Sequence, residues 1–416
     1  MKYVIAGAGP AGVIAAETLR KADPKGSILL VGDEPEPPYS RMAIPYVLSG
    51  RIGEDGTYLR KADGHYRDLG ICHLQDRIEK VSPRKREVRL AGGGKRAFDR
   101  LLIATGSTPI KPRVPGLGLA GVHHCWTLED SRRIAALARP GARVVLMGAG
   151  FIGCIILESL IQRGVKLTVV EMAERMLPRM MNDAGAAMLK RWCRAKGIAV
   201  RIGARVTKVA EMTRTGDGGR LRVHLDRGRP LKADLVVVAA GVKANVGFLE
   251  GSGVVVNDGV MVDDRLRSTV DGIFAAGDVA EGPDLSGGWS VHAIQPTAAD
   301  HGRIAALNMA GRDARFRGSL AMNVLDTAGL VSTSFGRWQG VKGGDFAESV
   351  DAAAYRYIRL AFRRDRLIGA LTLGRTDHVG IIRGLIQGRV PLGAWQRKLK
   401  ADPHRVMEAY LASYAG

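Results

Sequence analysis

Cysteine is scarce in this chain: there are four in 416 residues, Cys72, Cys125, Cys154 and Cys193. None belongs to a CxxC or CxxxxC pair, which excludes a local metal knuckle and a thioredoxin-like dithiol. The expectation that remains is four buried, reduced thiols. Acidic residues are also few, 41 Asp and Glu against 62 Lys and Arg, giving a net charge of +21. That excess carries no information on fold, but it predicts attraction to acidic partners. Aromatics make up only 5%. With no zinc finger, helix-turn-helix or aromatic-basic stacking platform, a nucleic-acid partner is not expected. No apolar run reaches the ~18 residues of a membrane span. The first apolar stretch opens a binding fingerprint and does not read as a leader, so a cytoplasmic protein is expected. With 46% hydrophobic and 25% charged residues the chain is globular, and its length suits two or three domains.

What the chain does contain is one nucleotide-binding pattern written twice, 141 positions apart. Lys2 to Glu34 and Arg143 to Glu174 each open on an apolar strand and turn through GxGxxG. Each then enters an amphipathic helix and closes on a second apolar strand ending in a carboxylate. The glycines are Gly7, Gly9 and Gly12 in the first copy, and Gly148, Gly150 and Gly153 in the second. The first glycine makes the tight turn, the second lets backbone approach a pyrophosphate, and the third lets helix pack on strand. Phosphates then lie at a helix N-terminus, where free N–H groups and the dipole favour anions. The closing carboxylate takes ribose hydroxyls. Two such units in full βαβ context imply two dinucleotides on an α/β chain.

The pattern of strands and breakers divides the chain. Residues 1–110 close on the strand Asp99–Gly106, and the proline-rich linker Pro109–Pro115 can be neither helix interior nor central strand. Residues 117–240 form the second unit, ending in Ala233–Gly241. A strand and turn follow at Gly272–Asp278, then a helix over Thr297–Ala310. Residues 320–416 read as a separate α+β domain. Its strand-like runs are Asn323–Phe335, Ala353–Phe362 and Arg366–Leu373, followed by helical patterns at His378–Gln387 and Pro403–Ala415.

Fingerprint, Ala104-Thr105-Gly106, second fingerprint, second Ala-Gly strand and the Ala-Ala-Gly-Asp turn ending at Asp278, in that order, resemble the pyridine nucleotide–disulfide oxidoreductase superfamily. The resemblance covers residues 1–316. It implies two Rossmann-like domains of the glutathione-reductase type. FAD would lie on a discontinuous domain, 1–110 with 241–316, and NAD(P)H on the inserted domain, 117–240. It further implies that Ala104, Thr105 and Gly106 pass the FAD adenine, and that Gly277 and Asp278 meet the ribityl and pyrophosphate. Glu34 would hold the adenosine ribose and Arg41 would neutralise phosphate. The stretch Val31–Gly50 is similar to the branch of ferredoxin, rubredoxin and nitrite reductase reductases and NADH oxidases. Two positions depart from the family. Met42 stands where a single redox cysteine occurs, and a thioether cannot become a thiolate or mixed disulfide. Tyr46 stands where the dioxygenase-type ferredoxin reductases carry a flavin-contacting lysine.

Glu171 ends the second strand 21 positions after Gly150, where it can accept from both ribose hydroxyls. NADPH would need an arginine there, so NADH is expected, although Arg175 stands one helical turn on. Glu158 repeats the helix position of Glu17. The resemblance places it on the nicotinamide side as a catalytic residue, and a solvated helix glutamate is the alternative. His292 and Gln295 lie in the segment that lines the isoalloxazine in this superfamily, with His292 a catalytic candidate or a structural histidine. Without a dithiol, electrons must leave the flavin directly. The expected activity is an NADH oxidoreductase serving an acidic iron–sulfur carrier of ferredoxin or rubredoxin type. Between Tyr355 and Arg405, twelve Lys and Arg stand against three Asp and Glu, a docking face or a solvated surface. The alternatives are an NADH oxidase or small-molecule reductase, or a flavin subunit serving mainly as scaffold in a larger complex. A homodimer is compatible with each.

Overall fold

The apolar runs Tyr3–Ala6 and Val144–Leu146 are buried along their whole length, as strands within a parallel sheet must be. In the computed structural model, which describes residues 1–212 and 220–414, each run is the middle strand of a five-stranded parallel sheet. The first sheet is ordered Ile71–Gln75, Ser27–Gly32, Lys2–Ala6, Arg100–Ile103, Ile273–Ala275. The second is ordered Ala199–Arg201, Lys166–Val170, Arg143–Met147, Leu235–Val238, Val122–His124. In both, the chain steps outward from the fingerprint strand through two strands and then returns to its other side. The switch points lie beside Arg100–Ile103 and beside Leu235–Val238, and ligands of such sheets bind at the carboxyl ends of the strands at these points.

Contacts divide the described chain into two compact units. One holds residues 1–47, 52–108 and 242–319, and the other 48–51, 109–241 and 320–416. In the first unit the fingerprint helix Pro10–Ala22 packs on the helix Gln295–Met309. A Cβ on Gly302 would stand 2.3 Å from the Ala11 carbonyl oxygen, so the two backbones meet there directly.

The second unit joins its parallel sheet to an antiparallel one, ordered Met322–Thr327, Leu330–Gly336, Arg366–Leu373, Arg356–Arg363, Asp345–Asp351. The expected run Asn323–Phe335 is thus two strands, folded back at Ala328 and Gly329, both with positive φ (54° and 84°). Helices Val379–Gln387, Trp395–Ala401 and Val406–Tyr414 complete the unit. The expected last helix begins at Val406 and not at Pro403, and Ala415 lies outside the described residues. Side chains of the helix Asp183–Ala195 and its cap tie that helix to the antiparallel sheet. Trp192 Nε1 donates to the Ala328 carbonyl at 3.0 Å, Asn182 Nδ2 donates to the Tyr357 hydroxyl at 2.5 Å, and Arg191 lies 4.6 Å over the Tyr355 ring. Among the described residues no helix is long and apolar enough to cross a membrane.

Candidate functional site

The first and third glycines of each fingerprint are explained by what a side chain would meet. Gly7 has φ +114°, and a Cβ there would fall 2.1 Å from the Ala104 carbonyl oxygen. Gly148 has φ +108°, with the Ala239 carbonyl oxygen at 2.4 Å. A Cβ on Gly12 would be 1.9 Å from the Gly7 oxygen, and one on Gly153 would be 2.2 Å from the Gly148 oxygen. Gly9 and Gly150 face open space within 4 Å. The middle glycine therefore keeps a cradle clear, while its neighbours close strand, turn and helix around it.

The helices behind those cradles start without a side-chain cap and without an acidic residue in the first turn. This holds for Pro10–Ala22, for Phe151–Gln162 and also for Gln295–Met309. By contrast, Thr127 and Asp130 cap the helix Leu128–Leu137 reciprocally, and Asn182 caps Asp183–Ala195. Uncapped N-termini leave orphan N–H groups suited to an anion. In the first unit two of them converge. A Cβ on Gly277 (φ +77°) would lie 3.2 Å from Ala11 Cβ and 3.5 Å from Ala298 Cβ, in the first turns of both helices.

Around that point stand most of the residues expected on the flavin side. Asp278 is in a short 3-10 turn directly after the strand Ile273–Ala275, and accepts from Ser107 Oγ at 3.3 Å. Burial pushes its carboxyl above the usual range, against the Ser107 hydroxyl and the charge of Arg41. Arg41 bonds Glu34 at 2.5 Å, and the Tyr39 hydroxyl donates to the other Glu34 oxygen. Thr105 and Gly106 are clamped by Asn245, which accepts from Thr105 Oγ1 (2.8 Å) and donates to its carbonyl (2.9 Å). Gln295 begins its helix and accepts from the Ser40 hydroxyl. His292 lies 3.0 Å from Asp284, with the two side chains only 9% and 11% exposed. Burial pushes Asp284 up, but the His292 ring and the Ser286 N–H outweigh it and hold the carboxyl below its usual range. His292 is therefore engaged by a carboxylate, as a structural histidine would be.

On the second unit Glu171 is 7% exposed. Its two oxygens accept from Ala149 N at 2.6 Å, inside the glycine turn, and from Ala173 N at 2.8 Å. It therefore shapes the glycine loop. Arg175 is not on a helix. It lies in an irregular segment, where its guanidinium bonds the Met181 carbonyl (3.1 Å) and Asp183 (3.0 Å). Glu158, the nicotinamide-side candidate, is bonded within its own unit. It sits two turns inside its helix, accepting from Gln162 at 2.6 Å and from the Ala328 N–H at 2.5 Å, which ties the helix to the antiparallel sheet. Its counterpart Glu17 is no solvated glutamate either. It receives both Nε and an NH2 nitrogen of Arg60 at 2.6 Å, and His65 lies at 2.9 Å.

The thiols depart from expectation at one position. Cys125, Cys154 and Cys193 are buried, but Cys72 is exposed. Met42 is 51% exposed, on the turn that follows Arg41. Sequence reading missed Ser40, Tyr39, Ser107 and His301. Ser107 adjoins the Ala-Thr-Gly run and was within reach of it, and His301 lies one helical turn from the buried Thr297 and Ala298.

Residues 1–302 match the sequence profile of the pyridine nucleotide-disulphide oxidoreductases. The chain belongs to that family. It is an oxidoreductase of FAD and a pyridine nucleotide. It is 29% identical to the epsilon subunit of the NADH-dependent phenylglyoxylate dehydrogenase of Aromatoleum evansii, over 97% of this chain and 95% of that one. It is 27% identical to the rubredoxin–NAD(+) reductase of Pseudomonas putida, over 93% and 99%. Among solved structures, a ferredoxin reductase from Rhodopseudomonas palustris superposes with a TM-score of 0.83 at 27% identity, covering 93% of this chain and 95% of that one.

Proposed function

We propose that this protein moves electrons from NADH through FAD to a ferredoxin- or rubredoxin-type protein carrier. The observation that carries the reading is the pair of uncapped, glycine-cleared helix N-termini, repeated on two sheets of one topology. Bound FAD would supply the link between a two-electron hydride donor and a one-electron acceptor. In the first unit, Gly9 clears its path and Gly7, Gly12 and Gly277 close the turns around it, with Ala104, Thr105 and Gly106 alongside. Glu34 and Asp278 accept from its hydroxyls, Arg41 balances phosphate, and Gln295 orders the segment linked to Ser40. His292 acts as a positioning residue, held by Asp284. In the second unit, Gly148, Gly150 and Gly153 cradle the NADH pyrophosphate, and Glu171 meets the adenosine ribose.

Two supports favour a protein acceptor. Met42 offers no thiolate, so electrons cannot pass through a sulfur at that position. Exposed Arg363, Arg364 and Arg366 occupy one hairpin turn. The segment carrying Arg389, Arg397 and Lys398 is bonded to that turn, through Leu392 N to the Asp365 carbonyl (2.7 Å) and Gln396 to the Arg364 carbonyl. The partner suited to this surface is acidic. A second reading, a flavin subunit within a larger complex, is favoured by the full-length likeness to the epsilon subunit of Aromatoleum evansii.

Anaerobic mixing of the yellow protein with NADH tests the proposal. Bleaching of the flavin, and its recovery on adding an acidic iron–sulfur carrier, is expected. Bleaching that only oxygen reverses would point to an oxidase. Carrier reduction that needs a copurifying protein would favour the complex. A flavin that no nicotinamide reduces would overturn the reading.

A further inference from the structure

His301 lies beneath the Gly277–Asp278 turn, and no role on the flavin side follows from the sequence. Its ring is 2% exposed. Its Nδ1 accepts from the Gly277 N–H at 3.3 Å, and one ring edge meets Phe316 at 4.4 Å between centroids, with planes at 87°. The backbone contact of Gly302 with Ala11 fixes the helix at the neighbouring position. The ring is thus held in place by helix packing and not by its own hydrogen bond. Gly277, at φ +77°, has no side chain with which to anchor itself.

The tautomer follows from the bond. An Nδ1 that accepts leaves the proton on Nε2, and that N–H is buried with no partner among the described residues. A leucine would fill the same space without burying an unpaired donor. A histidine here is explained by the acceptor it offers to the turn. Burial, with the nearby charge of His292, drives its basicity down to about 3, so the acceptor persists across the working range of pH.

We propose that His301 is a positioning residue for FAD. Its Nδ1 orients the Gly277 N–H, and so holds the turn that presents Asp278 to the cofactor. The inference rests on the assignment of FAD to this unit.

The test compares His301→Leu, which removes the acceptor, with His301→Asn, whose side-chain oxygen can occupy the Nδ1 position. FAD affinity of the apoprotein is read by quenching of flavin fluorescence, and apoprotein stability by urea unfolding. His301→Leu should weaken FAD binding on the order of tenfold, as one lost hydrogen bond would, with a urea midpoint no lower than wild type. His301→Asn should stay within about threefold of wild type. If His301→Leu does not fold, His301→Gln, with its acceptor displaced towards the Nε2 position, takes its place in the comparison. Unchanged FAD affinity in the acceptor-less variant overturns the inference. So does equal loss of affinity and stability in both variants, which marks a packing residue. Wild-type apoprotein that takes up no FAD overturns the underlying assignment, and this inference with it.

Discussion

Glu171 is proposed as the ribose acceptor and is a loop clasp by structure, and the two roles predict different outcomes for different substitutions. Its buried carboxylate satisfies the N–H groups of Ala149 and Ala173. Glu171→Arg therefore leaves two amides unpaired, at about 1–3 kcal/mol each. Urea unfolding should register that loss before any gain with NADPH appears. Met172, the next residue, is 65% exposed and serves no such bond. Met172→Arg places a guanidinium beside the 2′ position while the loop stays closed. NADPH kcat/KM should rise on the order of tenfold, the value of one charge-assisted hydrogen bond, while wild type prefers NADH. Arg175 does not supply this charge, because Met181 and Asp183 hold it. Equal wild-type rates with the two nucleotides would refute the specificity argument.

The cysteines divide in the same way. Burial raises the thiols of Cys125 and Cys193 to about 12, and that of Cys154 well above its usual value. Only thiolates react. In the native protein a thiol reagent should label Cys72 quickly and the other three only on unfolding. Dye reduction by NADH should survive both that labelling and Cys72→Ser. Activity lost with the Cys72 label would show a role for sulfur.

At the scale of elements, the two fingerprint helices share more than their glycines. Each uses the glutamate at the same position to bind whatever covers its outer side, Arg60 and His65 for Glu17, Ala328 for Glu158. Glu158→Ala frees one N–H and should destabilise the protein by about 1–3 kcal/mol with NADH affinity within about twofold of wild type. A large rise in NADH Kd without loss of stability would return Glu158 to the nicotinamide. For Glu17, burial raises the carboxyl, but the bonds from Arg60 and His65 outweigh it and leave it below its usual range. Its contribution to stability is full above the unfolded value, about 4.3, and is lost as pH falls through the lower folded value. The stability gap between wild type and Glu17→Gln should therefore close in acid. A gap independent of pH would show that the ion pair contributes nothing.

The inner parallel strands were legible, because burial on both faces writes an unbroken apolar run and the glycine pattern sets their order, whereas Ile71–Gln75, Val122–His124 and Ala199–Arg201 are part-exposed and left no such run. The helix Gln295–Met309 was legible from its alanine spacing. The strand Asp345–Asp351 was not. It is an edge strand with carboxylates at both ends, and Phe346 and Val350 are 39% and 51% exposed, so its alternation points outward. The helix Trp395–Ala401 follows Pro391 and Gly393 too closely to show a period. The residues that organise the flavin-side turn were hidden for another reason. His301 and Ser107 meet it from two separate stretches of chain, Asn245 holds the neighbouring Thr105 from a third, and no local spacing encodes such a meeting.

For the molecule as a whole, the excess of 62 basic over 41 acidic residues is an argument about encounter, not about folding. The exposed arginines of the Arg363–Arg366 turn, with Arg397 and Lys398 bonded close by, concentrate part of that excess where a carrier can be steered. Screening acts over about 8 Å near physiological salt. The second-order rate with an acidic iron–sulfur carrier should therefore fall steeply as salt rises. A small neutral dye fed by the same reduced flavin should show no such fall. Reversing Arg363, Arg364 and Arg366 to glutamate should slow the carrier on the order of tenfold or more at low salt, and leave the dye unaffected. The dye separates the two steps, because flavin chemistry is common to both acceptors and only docking differs. If neither salt nor reversal changes carrier reduction, this surface is merely solvated and the carrier docks elsewhere.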